Sequence, residues 1–231
     1  MALRKNMLIN ACDKLLYKIL WNMTGVRKRR MRLFLELLRP GGTTRILDIG
    51  GTPGLWDMIY SVDHGCRFDV TLLNLRMPSI ETKKAIESFG MKFIRGNALS
   101  LPFRDRSYDI VFSNAVVDHL SSFKNQKIFA DEVRRVGKRY FIETGNADFF
   151  FEPHYLTPFV HYLPKEVQKK IVRNFTVRGL LNRHVPREKI NKLVDEIILS
   201  TEREFRTLFP EAGIIKEKFL GFTKAFIAVK S

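Results

Sequence analysis

Ile46-Leu47-Asp48-Ile49-Gly50-Gly51-Thr52-Pro53-Gly54 is an apolar run that passes directly into a glycine-rich turn, and Leu55 to Tyr60 follow in a helical pattern. Strand, tight turn and helix in that order form the first half of a crossover unit. Glycines let the backbone turn sharply and come close to a ligand. The spacing is not that of the dinucleotide fingerprint G-x-G-x-x-G. Counted from Gly50, Thr52 and Leu55 stand where glycines belong, which speaks against hydride transfer.

The pattern continues downstream. Arg45 to Ile49, Phe68 to Leu75, Lys92 to Ile94, Ile110 to Ser113 and Tyr140 to Glu143 are short apolar runs separated by helical patterns. Strands alternating with helices predict a mostly parallel sheet with crossover connections. Ile214 to Phe219 and Lys224 to Val229 flank Gly221 and read as a closing antiparallel pair. Upstream, Met31 to Leu38 reads as a helix ending at Pro40-Gly41-Gly42. Leu8, Ala11, Leu15 and Ile19 mark an earlier amphipathic helix with Lys14 and Lys18 off its apolar stripe. The basic segment Lys165 to Lys192 breaks the alternation as a helical cap, interrupted at Pro186.

At 231 residues, with 45% hydrophobic and 28% charged residues, the chain fits one globular domain. The expected division is a basic helical arm over 1–41, a ligand-binding half over 42–145, and a second half over 146–231 with a helical insertion at 165–208. The first apolar stretch, Met7 to Cys12, is cut short by Asp13 and Lys14, so neither a spanning helix nor a leader peptide is expected. Cys12 and Cys66 have no CxxC spacing and no nearby histidine pair, which argues against zinc and disulfide frameworks. No metal is expected, and the expected location is the cytoplasm, with peripheral membrane contact as an option.

The net charge is +16. Residues 1–40 contribute half of it, with ten basic residues (Arg4, Lys5, Lys14, Lys18, Arg27, Lys28, Arg29, Arg30, Arg32, Arg39) against Asp13 and Glu36. Such an arm suits an anionic membrane surface through residues 1–32, or nucleic acid.

The glycine-rich turn resembles the first motif of class I S-adenosylmethionine-dependent methyltransferases. Asp48 takes the position of the acid that ends the strand, and Gly50, Gly51 and Gly54 form the loop. Thr52 stands where many members have a further glycine. Four later stretches extend the resemblance. Val70-Thr71-Leu72-Leu73-Asn74-Leu75 ends where the family places an acid on the ribose, here Asn74. Gly96-Asn97-Ala98-Leu99-Ser100-Leu101-Pro102-Phe103 is similar to G-D-A-x-x-L-P-F beside the adenine. Tyr108-Asp109-Ile110-Val111-Phe112-Ser113-Asn114 through Asp118-His119 is similar to F-D-x-V-x-S-N-x-x-x-E-H. Phe129 to Thr144 matches the helix and strand that follow.

Together these stretches resemble the type 11, small-molecule branch from about Arg45 to Pro164. The resemblance implies a Rossmann-like fold: a mostly parallel seven-stranded sheet, helices on both faces and an antiparallel last strand. It implies S-adenosylmethionine as cofactor, held by Asp48, Gly50, Gly51, Gly54, Asn74, Leu75, Asn97, Ala98, Leu99 and Asn114. The implied activity is O- or N-methylation of a small or lipid- or saccharide-linked acceptor. His119, at the carboxyl end of the fourth strand, and His154 are the candidate catalytic residues. His154 lies in Phe151-Glu152-Pro153-His154-Tyr155-Leu156-Thr157-Pro158-Phe159, a stretch also similar to this branch. Phe149, Phe150, Phe151, Tyr155 and Phe159 are candidates to line an apolar acceptor pocket. His64 and His184 have no such context. An RNA methyltransferase and a non-catalytic cofactor-binding regulator are the alternatives; Asn114-Ala115-Val116-Val117 lacks the N-P-P-Y pattern of amino-methylating nucleic-acid enzymes.

Overall fold

The computed structural model describes residues 25–62, 65, 67–181 and 185–231. The amphipathic stretch Leu8 to Ile19, both cysteines, His64 and His184 lie outside the described residues. Helix α1 covers residues 25–38. The order is then β1 (Arg45–Ile49), α2 (Pro53–Val62), β2 (Asp69–Asn74), α3 (Ile80–Ser88), β3 (Lys92–Arg95), β4 (Tyr108–Asn114), α4 (Phe123–Val136) and β5 (Gly137–Gly145). A two-strand hairpin, β6 (Phe151–Glu152) and β7 (Thr157–Pro158), precedes four helices: α5 (Lys165–Phe175), α6 (Val177–Leu181), α7 (Arg187–Glu196) and α8 (Glu202–Leu208). Strands β8 (Gly213–Phe219) and β9 (Phe222–Lys230) follow.

The main sheet has seven strands in the order β3-β2-β1-β4-β5-β9-β8. Strands β1 to β5 pair in parallel, and β9 runs antiparallel to both β5 and β8. The last strand is therefore antiparallel, as expected. Chain order reverses between β1 and β4. At such a switch point the loops leaving the two strands part in opposite directions and open a crevice at their carboxyl ends.

Alternation along the strands explains the two helical layers. Ile46, Ile110, Phe112, Phe141 and Ile227 face α1 and α2, where Phe34 and Trp56 are fully buried. Phe112 and Phe141 stack at 5.6 Å, and Phe34 meets both rings edge-on. Leu47, Ile49, Val111, Tyr140, Ile142, Phe226 and Ala228 face α4 and α8. Because successive strand residues point to opposite faces, both layers can be buried only if nearly every strand residue is apolar.

The segment 165–208 divides. Phe205, Leu208 and Phe209 recur at helical spacing and bury α8 against the sheet with Tyr140 and Phe226. Helices α5 and α7 instead share a small separate core of Val172, Ile190 and Val194 with Tyr155 and Val160. Pro186 stands immediately before α7, so the expected interruption coincides with a helix start.

Candidate active site

The loop after β1 is shaped by two glycines. Gly50 has φ +76°, and its amide donates to the Leu73 carbonyl at 2.8 Å, tying the end of β1 to β2. A β-carbon there would lie 2.3 Å from Val116 Cγ2. At Gly51 a β-carbon would lie 1.8 Å from Asp48 Oδ2. The exposed side of the loop therefore presents bare backbone, as close approach of a cofactor requires.

A cleft of about 620 Å³ opens above this loop, within the usual range for small-molecule sites. Gly50, Gly51, Asn74, Leu75, Asn97, Ala98, Leu99 and His119 line it. Three other expected residues stand elsewhere. Asp48 lies beneath Gly51, fully buried, accepting from Trp56 Nε1 at 2.8 Å. Gly54 is in the first turn of α2, and a β-carbon there would meet nothing within 4 Å. Asn114 accepts from Arg30 Nη1 at the base of the acceptor side.

The two asparagines that stand in for acids are also engaged. Asn74 Nδ2 donates to the Gly51 carbonyl at 2.9 Å, so its amide braces the loop while its oxygen remains for a hydroxyl. Asn97 Oδ1 accepts from the Leu99 amide at 3.0 Å, which makes the side chain a turn element as well as a wall of the cleft.

His119 and His154, 35 residues apart in sequence, meet at the far end of the cleft. His119 ends a 3-10 turn after β4, and His154 sits on the turn between β6 and β7. Their Nε2 atoms are 3.1 Å apart and their rings are nearly perpendicular. Glu152 Oε1 accepts from both the backbone amide and Nδ1 of His154, at 2.8 and 2.6 Å. Glu152 thus holds the His154 ring through Nδ1 and leaves Nε2 directed toward His119. Asp118 Oδ2 lies 3.3 Å from the same Nε2. Asp118 and Glu152 are both buried, and each keeps one carboxylate oxygen without a hydrogen-bond partner among the described residues. Burial lowers the His119 pKa, with the neighbouring imidazole adding to the effect and Asp118 opposing it. The His119 ring is therefore neutral near pH 7.

A second, largely buried cluster joins α1 to β5 and β8. Arg30, only 3% exposed, donates through Nε to Glu217 at 2.8 Å and pairs through Nη2 with Glu143 at 2.8 Å. Glu143 accepts the Ala115 amide at 2.9 Å, and Lys224 approaches Glu217 at 3.5 Å. Burial pushes the Glu143 carboxyl up, against the pull of Arg30. Arg30 is thus a core cation and not a free member of the basic arm, whereas Arg27, Lys28, Arg29 and Arg32 are exposed on α1.

Asp118 and Glu152 were within reach of sequence reading, since each lies within two residues of a candidate histidine. The Arg30–Glu217 pair, 187 residues apart, carries no local signal. The aromatic candidates do not line the cleft: Phe149 and Tyr155 are buried in packing, and Phe159 is 60% exposed beside Phe150.

Residues 47–140 match the model of the methyltransferase domain family, and S-adenosylmethionine is the cofactor that such a match implies. No curated protein matches. Among solved structures, an O-methyltransferase family protein of Burkholderia thailandensis aligns with 96% of this chain and 59% of its own, at 12% identity and TM-score 0.56. A Nostoc punctiforme protein provisionally described as an O-methyltransferase aligns with 90% of this chain and 56% of its own, at 12% identity and TM-score 0.53. An S-adenosylmethionine-dependent methyltransferase of Aquifex aeolicus aligns with 86% and 87%, at 13% identity and TM-score 0.50. The chain thus spans little more than half of the first two. At these identities the likeness is one of fold.

Proposed function

From the match to a methyltransferase domain at residues 47–140, we propose that the whole chain is an S-adenosylmethionine-dependent methyltransferase that acts on a hydroxyl or amine of a small or lipid- or saccharide-linked acceptor. The observation that carries this reading is the cleft itself, floored by a glycine loop at one end and reaching His119 and its partners at the other.

Bound there, the cofactor supplies a methyl group on a sulfonium centre, and the protein's share is alignment and proton handling. Gly50 and Gly51 offer backbone against it, Asn74 and Leu75 flank its ribose, and Asn97, Ala98 and Leu99 flank its base. Asp48 and Gly54 act from within the loop and helix that carry those contacts. Asn114 fixes the end of β4 through Arg30.

A hydroxyl acceptor must lose its proton as it attacks. His119 reaches the cleft, and His154 stands behind it with its ring held through Nδ1 by Glu152. Asp118, His119, Glu152 and His154 converge there, and one oxygen each of Asp118 and Glu152 has no hydrogen-bond partner among the described residues. Uptake of positive charge is therefore favourable there.

Calorimetric titration with S-adenosylhomocysteine, followed by product assays over hydroxyl and amine acceptors, tests the proposal. His119→Ala and His154→Ala proteins are expected to keep cofactor affinity within a few-fold and to lose most turnover. Full activity in both would remove these roles, and no cofactor binding by the native chain would remove the function.

The exposed Arg27, Lys28, Arg29 and Arg32 of α1 favour peripheral contact with an anionic membrane that delivers a lipid-linked acceptor. No helix among the described residues is long and apolar enough to cross a membrane. Sedimentation with anionic but not neutral vesicles supports this contact. Steeply salt-dependent RNA binding without vesicle binding would favour an RNA acceptor instead.

A further inference from the structure

We propose that Asp118, His119 and His154 form a binding site for one divalent transition-metal ion of the zinc type, with an open coordination position toward the cleft. One oxygen or nitrogen from each residue lies within 4.8 Å of the other two. Two of the three separations are 3.1 Å, between the imidazole Nε2 atoms, and 3.3 Å, from His154 Nε2 to Asp118 Oδ2. A tetrahedral ion bonded at about 2.0–2.1 Å sets its donor atoms roughly 3.3 Å apart. These two edges of the coordination figure therefore exist before any ion arrives.

The surroundings are those a metal-binding imidazole needs. Glu152 Oε1 lies 2.6 Å from Nδ1 of His154, on the side of the ring opposite Nε2, the nitrogen that faces Asp118 and His119. Such a carboxylate behind a ligand fixes the ring and raises its basicity. Glu152 is itself completely buried, so it stands behind the ligand and is not a competing one.

The three donor atoms also converge on one point. His154 Nε2 faces both a carboxylate oxygen and a second imidazole nitrogen. Asp118 is only 2% exposed, and its other oxygen has no hydrogen-bond partner among the described residues, which is costly for a buried polar group. A cation at the point of convergence satisfies all three donors together.

His119 is the member of the trio that lines the cleft, so the remaining coordination position faces the acceptor. This consequence rests on the proposed function, although binding of the ion does not. An acceptor hydroxyl coordinated there would have its O–H bond weakened; its proton would pass to water as the oxygen bonds the methyl carbon, the sulfonium S–C bond breaks and S-adenosylhomocysteine leaves. The two imidazoles then act on the acceptor through the ion.

The test uses the full chain after removal of metal with a chelator. Cobalt(II) titration followed by visible absorption, with zinc(II) calorimetry in parallel, is expected to give one ion per chain and an intense tetrahedral cobalt spectrum. His119→Ala and His154→Ala are each expected to weaken binding at least 100-fold, and Glu152→Gln by about 10- to 100-fold. S-adenosylhomocysteine titration and thermal melting on the same proteins report whether each variant folds, and Glu152→Gln remains decisive if an alanine variant does not. Absence of cobalt and zinc binding by the native chain overturns the proposal, as does unchanged binding in a folded His154→Ala protein. If S-adenosylhomocysteine still binds in that case, the methyltransferase reading survives alone. If metal binds and S-adenosylhomocysteine does not, the reverse holds.

Discussion

Replacing Asp48 by Asn should remove a pH-dependent loss of stability and leave the glycine loop in place. Asp48 ends β1 completely enclosed, with Trp56 Nε1 donating to Oδ2 and no hydrogen-bond partner for Oδ1 among the described residues. Burial pushes its pKa up to about 8, and the Trp56 bond pulls the other way but less strongly. In the unfolded chain an aspartate titrates near 3.9. Between those values the folded protein holds a proton that the unfolded chain has released. Stability therefore falls as pH rises, by about 1.4 kcal/mol per unit. The contribution is greatest below pH 4 and is lost as pH climbs to about 8.

Asn is neutral throughout and still accepts from Trp56, so the variant lacks this slope. From pH 5 to pH 7 the native chain should lose roughly 3 kcal/mol relative to Asp48→Asn. Urea unfolding of both proteins at pH 5, 6 and 7 measures the difference, and titrations common to both cancel. Parallel stability curves would refute the argument, because they would mean that the carboxyl is ionised in the folded state without cost.

Gly51→Ala places a β-carbon 1.8 Å from Asp48 Oδ2, a group pinned by Trp56, and should cost about 1–3 kcal/mol in a thermal or urea melt while abolishing cofactor binding by calorimetry. Asn74→Ala removes the 2.9 Å bond that braces the Gly51 carbonyl; at about 1 kcal/mol, S-adenosylhomocysteine affinity should fall roughly 5-fold. Arg30→Met leaves Glu143 and Glu217 enclosed without their shared cation and should destabilise the fold by about 3–5 kcal/mol in urea unfolding, whereas Arg29→Met on the exposed face of the same helix should change stability by less than about 0.5 kcal/mol.

The division between sequence and structure follows the range of each signal. Residues 45–62 announce strand, glycine turn and helix because burial periodicity and glycine's conformational freedom act over a few residues. The same holds for the strand ends, none of which moved by more than three residues, and for the break at Pro186. Local pattern likewise marked Asn74, Asn97, His119 and His154. What it could not supply was their partners. Asn74 could be read as a ribose ligand, but not as a brace on Gly51, since that bond depends on β2 lying beside β1.

The same limit explains Arg30. Read along the chain, it is one of ten basic residues in a solvated arm. In three dimensions Phe34 of α1 packs across Phe112 and Phe141, and Arg30, about one turn earlier on the same helix, is thereby aimed at Glu143 and Glu217. The meeting of Asp118, His119, Glu152 and His154 has the same origin. Two turns far apart in sequence are brought together only when the β6–β7 hairpin folds back over the carboxyl end of β4. By itself the sequence determined the crossover fold and the glycine turn after β1, because backbone geometry and alternating burial are local. The tertiary structure alone decided which charges share an interior and which imidazoles share a point, because distance through space is set by the packing of the whole sheet.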